Sequence, residues 1–88
     1  MSTEIRRFIK EMSELREKKR NELDRRGKRA NELLERSDEV FRSNKEQWEA
    51  YQQCIEHQHN KMMGLIHELF VIQNILDTTQ ADHEETHQ

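Results

Sequence analysis

Proline is absent from this 88-residue chain, glycine occurs only at Gly27 and Gly64, cysteine only at Cys54, and aromatic residues make up 6%. Each shortage excludes something. A β-sandwich needs many turns and β-branched strands, and a doubly wound fold needs more chain and more glycine. A self-contained enzyme needs walls for a pocket. One cysteine cannot build a disulfide framework, and an inert thiol on a helix is the reading for Cys54. Long apolar runs are missing too. The densest stretch, residues 62–76, contains His67 and Glu68 and falls short of the ~20 residues a bilayer requires. The first residues, Met1-Ser2-Thr3-Glu4-Ile5-Arg6-Arg7, carry no apolar signal segment. The expectation is an intracellular, soluble protein, cytoplasmic or nuclear, without a membrane span.

Helix-forming and charged residues dominate what is there. Charged residues make up 38% of the chain, against a usual ~25%. Ala, Glu, Lys, Leu and Arg supply 39 of 88 positions, near the ~50% typical of coiled coils and long helices. Leu, Ile, Val and Phe together supply only 18, too few for a large core of the chain's own. An all-α fold follows. Ser2 or Thr3 can cap its start, with Glu4 in the first turn to complement the helix dipole.

The net charge of −3 conceals a polarity. Residues 1–45 hold 14 Lys/Arg and 10 Asp/Glu, a net of +4, whereas residues 46–88 hold one lysine and 8 Asp/Glu, a net of −7. Three segments emerge: a basic amphipathic helical segment at 1–33, a heptad segment at 34–77, and a polar tail at 78–88 that has almost nothing apolar to bury and reads as disordered.

The heptad segment carries the strongest pattern. Every seventh residue from Leu34 is apolar: Leu34, Phe41, Trp48, Ile55, Met62, Leu69 and Leu76. At a one-in-three background such a run arises by chance about once in two thousand at a fixed phase. Three residues on from each rung, Ser37, Asn44 and Gln58 are polar, while Tyr51, Leu65 and Ile72 are apolar. The 3.5-residue period predicts a left-handed supercoil against another helix, and polar residues in such a seam fix register at a cost in stability. Before Leu34 the stripe runs differently, through Ile5, Phe8, Ile9, Met12 and Leu15. Leu23, Ala30 and Ser37 then follow the Ile9 phase, so a phase change falls near Leu33 and Leu34. The preferred reading is one long helix, about 110 Å at 1.5 Å per residue. The alternative is a hairpin turning near residues 37–44, where Ser43-Asn44-Lys45-Glu46 fits a capping box. The ladder's unbroken passage through Phe41 and Trp48 favours the rod. Near the C-terminal end the apolar residues wrap the helix. A two-stranded coil leaves Phe70 and Val71 in water, so burying them calls for three or more helices. Gly64, inside this block, reads as a point of close helix approach.

Candidate sites fall into two groups. The interface set is Leu34, Phe41, Trp48, Tyr51, Ile55, Met62, Leu65, Leu69, Phe70, Ile72 and Leu76. The basic set, Arg16, Lys18, Lys19, Arg20, Arg25, Arg26, Lys28 and Arg29, packs eight cations into 14 residues. A basic stretch followed by heptads resembles the layout of basic-zipper proteins, whose forked helices grip the major groove. The resemblance is one of layout alone: Glu17, Glu22 and Asp24 would face phosphates, and Gly27 interrupts the helix. A solvated or partner-facing basic face is the preferred reading, with a nuclear import signal as a side reading.

No catalytic or metal constellation emerges, and no cofactor is expected. His83-Glu84-Glu85-Thr86-His87 matches the H-E-x-x-H pattern, but zinc chemistry needs a third ligand and a walled cleft. The match reads as coincidence in a polar tail. His57 and His59 are two apart and face different sides of a helix.

Parallel in-register copies would set like charges side by side. An antiparallel partner, a folded-back hairpin or a different chain pairs the two halves favourably. The sequence thus predicts a non-enzymatic coiled-coil subunit, a structural or adaptor component of a larger complex. Its partners are other helical chains, in a hetero-oligomer by preference and an antiparallel homo-oligomer otherwise. Nucleic-acid binding through the basic set, dimerised by the heptads, is the alternative function and the less favoured one.

Overall fold

The computed structural model describes the backbone of residues 2–86 and the side chains of residues 2–82. The chain is all-α and takes the hairpin form. Helix α1 spans Thr3–Val40 and helix α2 spans Lys45–Thr86. The molecule measures 67 × 15 × 14 Å, close to one 42-residue helix at 1.5 Å per residue and far short of an uninterrupted rod. The single long helix favoured by the ladder is therefore replaced by two antiparallel ones.

Local chemistry explains the break. The Ser43 and Asn44 amides both donate to the Val40 carbonyl, at 3.2 and 3.0 Å, and close α1. The Asn44 side chain then accepts from the Gln47 amide at 3.0 Å and opens α2. The cap is Asn44, one residue beyond the Ser43 of the capping-box reading, and Asn44 leaves the seam to perform it. No described residue has a positive φ apart from any requirement of glycine, for none, glycine included, adopts one. The four-residue connection thus needs neither glycine nor proline, in keeping with the short loops of αα-hairpins. Phe41 and Trp48 bracket it edge to face, ring centroids 5.6 Å apart and planes at 64°. At the other end Ser2 caps α1, accepting from the Ile5 amide at 3.2 Å. Asn44→Ala is expected to cost about 1 kcal/mol and to lower the melting temperature of a domain this small by roughly 4–8 °C. Thermal circular dichroism reads it, and an unchanged melt refutes the cap's role.

The basic α1 lies against the acidic α2, so the charge polarity is satisfied within one chain. Lys19 Nζ meets Glu68 Oε2 at 2.6 Å. The buried positions are Ala30, Leu33 and Ser37 on α1 and Ile55, Leu65, Ile72 and Leu76 on α2. On α1 they continue the Ile9 phase: Ile9, Leu23, Ala30 and Ser37 form one row, with Arg16 in the same register. The phase change near Leu33 is thus no change of seam: the α1 seam runs on through Ser37, while Leu34 and Phe41 form an exposed row that shares the seven-residue count of the α2 seam. Beyond Asp77, where the pattern predicted a polar tail, the helix continues through Thr86. Thr79 Oγ1 donates back to the Ile75 carbonyl at 2.7 Å, and Gln73 Nε2 donates to Asp77 Oδ1 at 2.9 Å. His87 and Gln88 lie outside the described residues, as do the side chains of residues 83–86, so no side chain of the H-E-x-x-H pattern is among those described.

Candidate docking faces

The hairpin seam takes only part of the predicted interface set. Ile55, Leu65, Ile72 and Leu76 are buried in it, and Trp48, Tyr51, Met62 and Leu69 are half-buried. Leu34 and Phe41, the first two rungs of the ladder, lie outside the seam and are exposed, Phe41 with one edge-to-face ring contact to Trp48. Phe70 is 65% exposed. Ala30, Leu33 and Ser37, which fill the α1 side of the seam, fall outside the ladder because they obey the other phase.

Polar side chains occupy the seam at intervals. Arg16 Nη1 donates to Gln73 Oε1 at 2.8 Å, and Arg26 Nη1 donates to Gln58 Oε1 at 3.1 Å. Gln52 Nε2 donates to the buried Ser37 Oγ at 2.6 Å. No buried side-chain polar atom among the described residues lacks a partner. Gln58, polar at its seam position, thus has an arginine from the opposing helix as its partner.

These pairs sort the surface into two flanks. The Arg16–Gln73 and Ser37–Gln52 bonds lie on one side of the seam, and there a Cβ at Gly27 would come within 3.7 Å of Met62 Cε. Seven-residue spacing places Leu34 and Phe41 in line with Gly27 on that flank, and Ile66, bordered by Met63 and Phe70, on the α2 side of it. All five of these large side chains are exposed, Met63 and Phe70 most of all. The opposite flank carries the Lys19–Glu68 pair and a groove lined by Glu22, Arg26, Asn60, Lys61, Gly64 and Leu65 as well. Gly64 has nothing within 4 Å of the place its Cβ would take, so it opens on the groove and is not a point of approach within the hairpin. A second groove on this flank runs beside Cys54, between Arg29, Leu33, Gln53, His57 and Gln58. Phe8, Val71 and Ile75 stay exposed.

Met63, Ile66 and Ile75 were not in the predicted interface set. The spacing 63, 66, 70 is a helical stripe of its own, a signal that the seven-step ladder beside it obscures.

The basic set is divided around α1. Arg16 bonds Gln73, Lys19 pairs with Glu68, Arg26 bonds Glu22 and Gln58, and Arg29 lies 3.3 Å from Glu32. Lys18, Arg20, Arg25 and Lys28 are exposed on several faces, so the set forms no single phosphate-facing strip. The described residues contain no group of three His, Cys, Asp or Glu side chains placed to hold a metal. No helix among them is long and apolar enough to cross a membrane. Compared with known proteins, the chain matches no family, no curated protein and no solved structure.

Proposed function

We propose that this protein is a non-enzymatic helical-hairpin subunit that docks onto helices of other chains, as a structural or adaptor component of a complex in the cytoplasm or nucleus. One observation carries the reading. Among the described residues nine large apolar side chains are exposed, whereas six apolar residues are buried. Much of the hairpin's apolar material therefore lies outside the contact between its own two helices. Three of the exposed ones, Met63, Ile66 and Phe70, lie together on one flank within eight consecutive positions of α2. Contiguous exposed apolar patches mark interaction surfaces, and each such side chain contributes about 1.5–3 kcal/mol when fully buried. The polar seam points the same way, since a two-helix contact interrupted by arginine and glutamine leaves a thin core, and small scaffolds of this kind gain stability by associating.

The test is size-exclusion chromatography of extract from cells that express the full chain with an epitope tag. The wild-type chain is expected to elute in a complex well above its own 10.8 kDa. The double variant Ile66→Asp/Phe70→Asp, with helicity retained, is expected to elute as the free chain. Elution of both forms as the free chain overturns the reading.

A further inference from the structure

The flank that carries Gly27 has a shape and charge that specify one kind of occupant. Its apolar residues trace an oblique strip: Phe41 at the turn and Leu34 on α1, then Met63, Ile66 and Phe70 on α2, with the crossing beside Gly27. Phe70 lies level with residues 16–19 of α1, as the Arg16–Gln73 and Lys19–Glu68 pairs show. From that level to Phe41 is about 35 Å at 1.5 Å per residue, the length of a helix of some six turns. An oblique strip over two antiparallel helices suits a third helix crossing at a small angle. At the crossing Gly27 offers no side chain to hold that helix away.

We infer that this flank seats one amphipathic helix of a different protein, with its apolar stripe bordered by lysine and arginine. The inference rests on the docking function proposed above and adds the partner's chemistry. Asp38 on α1 and Glu49 and Glu56 on α2 border the turn-side half of the strip, and Asp24 lies just past Gly27, all exposed and none in an ion pair within the hairpin. Lys45 is a cation set among them, and of the exposed residues that directly follow Gly27, Leu34 and Phe41, Lys28 and Arg42 are basic and Glu35 is acidic, so carboxylates still outnumber cations along this border. Farther along, Arg20 and Glu17 offset one another. A basic border on the incoming helix meets these carboxylates, whereas an acidic border is repelled. A second copy of this chain fits poorly. Flank against like flank sets the acidic borders together, and the cations of α1 are spread around that helix without an apolar stripe of their own to accompany them.

Two synthetic 21-residue helical peptides with the same leucine stripe, one bordered by lysine and the other by glutamate, serve as probes. Each is labelled and titrated with the full chain by fluorescence anisotropy at low salt. The lysine peptide is expected to bind at least tenfold tighter. Leu34→Asp and Gly27→Leu should each weaken it tenfold or more, Val71→Asp on the opposite flank should leave it unchanged, and the triple variant Asp38→Lys/Glu49→Lys/Glu56→Lys should invert the preference. Helicity of every variant is checked by circular dichroism, and because the charge-inverted positions are all exposed, that variant keeps the test decisive if Gly27→Leu unfolds. Equal binding of both peptides, preference for the glutamate peptide, no binding of either, or sensitivity to Val71→Asp and not to Leu34→Asp each overturns the inference. So does sedimentation showing a dimer of the chain that Leu34→Asp dissolves. None of these peptide outcomes touches elution of the wild-type chain in a larger complex, so the docking function and the partner's chemistry fail separately.

Discussion

Ile72→Asp is expected to abolish the cooperative thermal transition and most of the helical circular dichroism, while Phe70→Asp, two residues away, leaves both nearly unchanged. The contrast follows from position. Ile72 is 6% exposed and lies in the seam, whereas Phe70 is 65% exposed. A carboxylate at 72 either stays charged against an apolar surface or takes up a proton, and both cost several kcal/mol. The lost burial of isoleucine adds to this, since truncating a buried aliphatic side chain alone costs about 2–5 kcal/mol. A two-helix fold of this size has no more than a few kcal/mol of net stability to lose, so the single substitution exceeds it. Phe70 gives up little burial within the hairpin, and aspartate differs from phenylalanine in helix propensity by no more than about a few tenths of a kcal/mol. Equal losses in the two variants would show that Phe70 is packed within the chain and would remove the exposed stripe on which docking depends.

The all-α class was legible in composition alone, and the charge polarity already allowed the two halves to pair as a hairpin, as one of three arrangements beside an antiparallel partner and a different chain. The turn was not legible, for a physical reason that can be located. Seam rows on the two helices are Ile9, Arg16, Leu23, Ala30, Ser37 and Trp48, Ile55, Met62, Leu69, Leu76. They differ by four residues in the seven-residue count, and Leu34 and Phe41, on the outer flank of α1, share the second count. A ladder read along the chain therefore joins an exposed row to a buried one as if both lay on one face. The connection itself contains neither glycine nor proline, and its main signal, Asn44 capping through the Gln47 amide, is masked by the neighbouring serine. The candidate site was half legible. Phe70 stood out because a two-stranded coil cannot cover it, but the division of the basic set between intrahelical, cross-seam and exposed positions depends on side-chain directions that spacing alone does not specify.

Replacing the seam cations tests what those polar positions are for. The triple variant Arg16→Leu/Lys19→Leu/Arg26→Leu is expected to melt at least 10 °C higher than the wild type. Each cation lies at a seam position, Lys19 and Arg26 with side chains only 26% and 28% exposed, and each holds a partially desolvated charge against a neutral or acidic side chain from α2. Apolar replacements of similar length keep the contact made by the aliphatic stem and remove the desolvation cost. A gain near 1 kcal/mol at each position corresponds to roughly 4–8 °C in a domain of this size. The same variant should lose uniqueness. Arg16 meets Gln73, Arg26 meets Gln58, and Ser37 meets Gln52. A slip of one heptad separates all three pairs, so the polar residues penalise wrong registers more than they stabilise the right one. With leucine at three seam positions, shifted pairings and association between chains become competitive. Sedimentation velocity should then show oligomers at concentrations where the wild type shows none of that size. A lower melting temperature would mean that the arginine–glutamine bonds themselves hold the hairpin together. A higher one with unchanged sedimentation would mean that the turn, with its Asn44 cap and the Phe41–Trp48 contact, fixes the register unaided.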